Sequence, residues 1–155
     1  MIGMTDDLIS ELERQERELV FGRFDNTDAW RLGSLLVSLA QVRDLPVAID
    51  IRRGTQQLFH AALPGSVADN DTWIELKVRV VERYGMSSYR KGRLLAAEGK
   101  SLDAAVGVDP ALYAAHGGAF PIRVRDVGVV GVVTVSGLPQ ADDHALAVEA
   151  IRDFL

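Results

Sequence analysis

Two short turns and one helical face hold the residues of this 155-residue chain whose types and spacing could do chemistry. His116 stands directly before Gly117-Gly118 and Phe120-Pro121. An imidazole titrates near neutrality and can serve as a ligand or an acid/base group, and paired glycines let a backbone approach a ligand or another chain closely. A tight entry into a strand, with His116 as a hydrogen-bonded structural residue, accounts for the same residues equally well. Further on, Ser136-Gly137-Leu138-Pro139-Gln140 runs into a helix start, where converging backbone N–H groups accommodate an anion. Asp142 and Asp143 fall in the first turns of that helix and can supply the negative charge themselves. His144 beside them forms, with either aspartate, the outline of an Asp-His base unit. His116, His144, Asp142 and Asp143 are therefore the candidate catalytic groups. Trp73 and Lys77, four residues apart, share one helix face. They read as an aromatic wall with an ammonium for an acidic ligand, or as a packed indole beside a solvated lysine.

Several chemistries are disfavoured. Gly128-Val129-Val130-Gly131 lacks the Lys-Ser/Thr pair of a phosphate loop and is followed by strand residues, so Gly131 reads as a bulge or a close packing point. No serine elbow accompanies the histidines, His60 lies in an alternating strand facing solvent, and the three imidazoles match no metal-ligand spacing. Metal binding is not expected. There is no cysteine, which removes thiolate catalysis and disulfides. With 17 basic and 22 acidic residues the formal charge is −5 and basic residues form no stripe, so nucleic acid is not an expected partner. No run approaches the ~18 apolar residues of a membrane span, and MIGMTDDLISELERQ has no signal-peptide h-region. A cytoplasmic protein without membrane contact is predicted.

The elements that must position these residues follow from periodicity. A first helix is expected to start at Thr5, with Glu11, Glu13, Arg14, Glu16, Arg17 and Glu18 on its polar circumference, lying on the surface or against a neighbouring subunit. A second, capped within Asp25 to Asp28 and running to about Val42, carries a core stripe of Trp30, Leu32, Leu35, Leu36, Leu39 and Ala40, with Gly33 and Ser34 allowing close approach. Val47 to Arg52 and Gln57 to Leu63 form a hairpin around Gly54. A helix from Asn70 or Asp71 to Tyr84 ends at Gly85, and a weaker one opens at Ser87-Ser88. Phe120 to Val124 pairs with Val129 to Val135, the latter apolar on both faces as a central strand should be. The last helix, Pro139 to Phe154, turns Ala145, Leu146, Val148, Ala150 and Ile151 to the sheet. Strands in adjacent hairpins predict an α+β fold, a single domain over residues 1–155 with an antiparallel sheet and helices on both faces.

HGGAFPI, GVVGVVTVSGLPQADDHALAVEAI and, upstream, WIELKVRVVERYGMSS resemble the GlcG-like, haem-binding or haem-degrading-domain family, in particular its short bacterial and fungal branch. The likeness runs from about Asn26 to Leu155. It implies a profilin-like α/β/α sandwich with a central antiparallel sheet and symmetric homo-oligomers. It also implies haem or a related tetrapyrrole as a cofactor or ligand, since some members bind haem or take part in its breakdown. No ligating residue is carried over by the resemblance. The reading that results is an oligomeric binding protein for a small anionic ligand. Its pocket is expected from Trp73, Lys77, His116, Gly117, Gly118, Phe120, Pro121, Ser136, Gly137 and Leu138. The alternatives are a His/Asp-dependent enzyme on a small metabolite or haem, and a non-catalytic assembly or adaptor protein in which Trp73 and the His116 to Pro121 loop are buried only by other subunits.

Overall fold

The structure, a computed structural model, describes residues 3–155. Helices α1 (Met4–Glu18) and α2 (Asn26–Val42) precede the hairpin β1 (Ala48–Arg53) and β2 (Gln56–Ala62). Helices α3 (Ala68–Tyr84) and α4 (Ser88–Ala97) follow, then two 3₁₀ turns (Leu102–Ala104 and Pro110–Leu112), a second hairpin of β3 (Ala119–Val124) and β4 (Gly128–Ser136), and α5 (Gln140–Phe154). The four strands are antiparallel in the order β2-β1-β4-β3, so β1 and β4 are central. Helices α2 and α5 cover one face and α3 the other, which makes an α+β, profilin-like α/β/α sandwich.

Local chemistry explains most boundaries. The Asp25 carboxylate accepts from the Asp28 backbone N–H while Asp28 accepts from Asp25, a reciprocal cap that starts α2. Gly85 closes α3 in the left-handed conformation, where a Cβ would be strained. Helix α3 begins at Ala68, ahead of the expected Asn70, because the Asn70 side chain reaches back to accept from the Val67 N–H. Thr5 is not a cap: the Asp7 N–H donates to the Gly3 carbonyl, and the helix is already under way at Met4.

Burial corrects four expectations. Trp30 is 64% exposed and meets Phe59 of β2 edge-on, so the stripe of α2 rests on Leu32, Leu36 and Ala40. Gly33 lets the sheet approach, since a Cβ there would fall 2.4 Å from the Phe59 ring. Glu16, expected on a solvated face, is buried with Arg90 and Arg123 each 3.5 Å away. Ala145 faces solvent, and β4 is not apolar on both faces, because Thr134 and Ser136 are buried on the α3 side.

The two faces differ in content. Alternate residues Ile49, Ile51, Val133 and Val135 join α2 and α5 in the large apolar core. The opposite set, Ala48, Asp50, Thr134 and Ser136, looks toward α3, where the apolar cluster shrinks to Ala48, Ile74, Val78, Val81, Ala119 and Val132.

Candidate functional site

At the α3 edge of the sheet, where β4 ends and α5 begins, a cleft of about 420 Å³ opens between Asn70, Trp73, Lys77, His116, the 136–138 turn, Gln140 and Asp143. Its floor is a buried ion pair. The Lys77 Nζ donates to Asp143 Oδ2 at 3.2 Å and to the Val135 carbonyl at 3.3 Å. Asp143 also accepts from the Gly137 N–H at 3.3 Å and the Leu138 N–H at 2.9 Å. The protein's own carboxylate thus occupies the N–H groups of the turn that enters α5. Burial pushes the Lys77 ammonium below its ordinary range, opposed by Asp143. Burial likewise raises the Asp143 carboxyl, opposed by Lys77 and by the Leu138 and Gly137 amides.

The paired glycines exist for this floor. Gly118 has φ +139°, and a Cβ on it would lie 2.3 Å from the Val135 carbonyl and 2.8 Å from the Lys77 Nζ. A Cβ on Gly117 would lie 2.1 Å from the Gln140 carbonyl, whose side chain accepts from the Gly117 N–H at 3.1 Å. On the next residue, the Ala119 N–H donates to Ser88 Oγ at 3.1 Å, which ties the segment to α4.

The walls are aromatic. Trp73 and His116 meet edge-to-face with ring centroids 5.8 Å apart, and the indole N–H donates to Asp69 at 3.2 Å. His116 is exposed and makes no side-chain hydrogen bond among the described residues.

Of the residues singled out in the sequence, Trp73, Lys77, His116, Ser136, Gly137, Leu138 and Asp143 line the cleft, with Gly117 and Gly118 behind it. Phe120 does not: its ring is buried in the α2/α5 core. Pro121 is buried within β3 opposite Val132. Residues 117–121 are therefore buried inside one chain, without need of a subunit. His144 forms no base unit with an aspartate. Its Nε2 meets Gln15 Oε1 at 2.7 Å, its ring packs on Tyr89 and Phe120, and burial depresses its pKa to about 4. Asp142 is exposed and outside the cleft lining. His60 does more than face solvent, meeting Asp71 at 2.6 Å. Asn70 and Gln140 were missed. Asn70 shares the i, i+3, i+7 face with Trp73 and Lys77, a spacing that would have found it.

Among the described residues no cluster of His, Asp or Glu is placed to hold a metal ion, and no helix is long and apolar enough to cross a membrane.

The sheet and the helices on its two faces define a small α/β/α sandwich of the profilin-like class. A family model described as haem degrading protein, HbpS-like, matches residues 24–152, and the chain belongs to that family. A UPF0303 protein of Streptomyces coelicolor is 61% identical over 151 residues, which span 97% of this chain and 96% of that one. The crystal structure of Ybr137w superposes with a TM-score of 0.85 at 34% identity, covering 94% of this chain and 86% of the other. That of the PduOC:haem complex superposes at 0.68 with 18% identity, covering 83% and 93%, a likeness of fold.

Proposed function

We propose that this protein binds a small anionic ligand in the cleft between α3 and the start of α5, with haem or a related tetrapyrrole as the candidate, and that it works as a cytoplasmic homo-oligomer. One observation carries the reading: a buried ammonium, an indole and an unpaired imidazole converge on a single concavity. Lys77 uses two of its three donors on Val135 and Asp143, which leaves one for a ligand carboxylate. Family membership and the haem complex of a fold neighbour support haem as the candidate.

The residues present fit that group in three respects. His116 offers an imidazole that makes no side-chain hydrogen bond among the described residues, unlike His60 and His144. Trp73 flanks a flat ring, and Lys77 suits a propionate. Bound haem would supply a redox-active iron, and the part of this chain would be to ligate, orient and neutralise. The His/Asp enzyme reading has less support, because His144 is turned into the core.

The test is a haem titration of the purified protein in both iron oxidation states, with gel filtration in parallel. A saturable Soret shift that His116→Ala abolishes is the expected result. No shift in either state removes haem. If calorimetry then shows that small carboxylates bind and that Lys77→Met abolishes this, the broader reading stands without it.

A further inference from the structure

A second cavity of about 580 Å³ lies on the other side of the Trp73–His116 pair, between α4 and the connection to β3. Its walls differ from the cleft's: Leu76, Leu95, Leu102, Ala114 and Tyr113 bring apolar and aromatic surface. Its volume is within the range of small-molecule sites, and its inner end is tightly packed, since Gly92 of α4 lies so close to the Ala115 carbonyl that a Cβ would fall 2.0 Å from it.

Arg93 lines this cavity without the carboxylate partner that several other arginines here have. Arg14, Arg43, Arg52 and Arg90 each have a carboxylate partner. Arg93 has none among the described residues, its Nε is buried with no hydrogen-bond partner, and its guanidinium lies 5.7 Å from the Tyr89 ring centroid. Lys100 and Asp103 add one charge of each sign to the lining, so Arg93 sets its net charge. With Nε shut away from solvent, the terminal nitrogens of Arg93 are the donors that a ligand carboxylate could meet.

We propose that this cavity is a second binding site, which takes a flat, largely apolar carboxylic acid with its carboxylate on Arg93 and its ring between Trp73 and the leucines of α3 and α4. The site goes beyond the proposed function and shares with it the Trp73–His116 wall alone.

Trp73 is the natural reporter. The chain has two tryptophans, and Trp30→Phe removes the more exposed one, on α2, without touching either cavity. In that background, naphthalene-2-carboxylate is expected to quench Trp73 saturably, with the uncharged naphthalene-2-carboxamide about tenfold weaker. Arg93→Met should erase the difference between the probes and Arg93→Lys keep much of it, while Ala96→Phe, which fills the cavity from an exposed helix position, should abolish both. Equal affinity for the two probes, absence of saturable quenching, or carboxylate binding unchanged by Arg93→Met overturns the proposal. Quenching that ignores Arg93 and is lost in Lys77→Met assigns the probe to the cleft and overturns it too. Neither Arg93 nor Ala96 belongs to the cleft, so the haem titration of the proposed function fails or succeeds on its own.

Discussion

The two faces of the sheet are built to different standards. Against α2 and α5 the strands present isoleucine, valine and leucine, and burial of that apolar surface is the main source of stability. Against α3 the same strands present Asp50, Thr134 and Ser136, all buried, and α3 answers with Lys77. Asp50 is held by Arg52 at 2.8 Å and Gln57 at 2.6 Å, and Arg52 reaches on to Glu75 of α3. Buried ion pairs repay their desolvation poorly, and apolar residues in these places would hold the layers together at least as well. The α3 face therefore gives up packing for polar groups, of which Lys77 and Ser136 border the cleft, and both cavities that share the Trp73–His116 wall lie on that side.

The sharpest way to break this contrast is at Asp143. Asp143→Ala leaves the Lys77 ammonium and two backbone N–H groups without their acceptor, and a loss of about 3–5 kcal/mol is expected by urea denaturation. Lys77→Met with Asp143→Asn keeps an acceptor for Leu138 and removes both charges, so most of that stability should return while ligand binding in the cleft does not. If the double variant is as unstable as Asp143→Ala, the pair is structural and the contrast fails.

On the other face, Leu36→Ala, at a fully buried position, should cost about 3 kcal/mol, within the usual cavity-forming range. Here binding is the informative readout. Affinity per folded molecule should be unchanged, and a variant that lost stability and affinity together would show that the faces are not separable.

His144 gives the pH dependence. Its folded pKa of about 4 lies below the ordinary 6.5, so the unfolded chain takes up the proton first. The stability it contributes is complete above about pH 6.5 and is lost as pH falls toward 4, by up to about 3 kcal/mol. Glu16 acts in the opposite sense, because burial raises its folded pKa and protonation relieves it as pH falls. Comparison with His144→Gln isolates the histidine: the fall between pH 6.5 and 4 should flatten in the variant, and identical slopes would place His144 outside the acid response.

How far such features could be read in advance depended on their range. Caps and hairpins are local: Asp25 with Asp28, Gly85 after Tyr84, and Gly54 between two alternating runs each state their geometry within a few residues. The cleft is not local. Lys77 and Asp143 lie 66 residues apart and meet because α3 and α5 converge at the end of β4, and His144 finds Gln15 across 129 residues. Proximity in sequence made His144 and Asp143 look like partners, whereas successive residues of a helix point about 100° apart, and the helix turns one to Lys77 and the other to Gln15. The glycine pair was visible, but its reason, room for the Lys77 Nζ, required the fold. Part of the polar character of the α3 face is local: Thr134 and Ser136 alternate along β4, which a period of two assigns to one side, whereas Asp50 joins them only through the β1–β4 register.

The smallest expected effect tests whether α4 is merely scaffold to the cleft. Ser87 is fully buried and caps α4, its Oγ accepting from the Arg90 N–H at 3.1 Å. Ser87→Ala should cost about 1 kcal/mol, the usual worth of such a cap, seen as a modest drop in the urea midpoint. Because α4 lines the second cavity and not the cleft, affinity for the cleft's ligand should hold while that of the naphthoate probe weakens. Arg90 also stands beside the buried Glu16. A loss well beyond the cap's worth would mean that the first turn of α4 holds α1 in place through that pair, and that the α3 side of the sheet is stiffened from outside by α1.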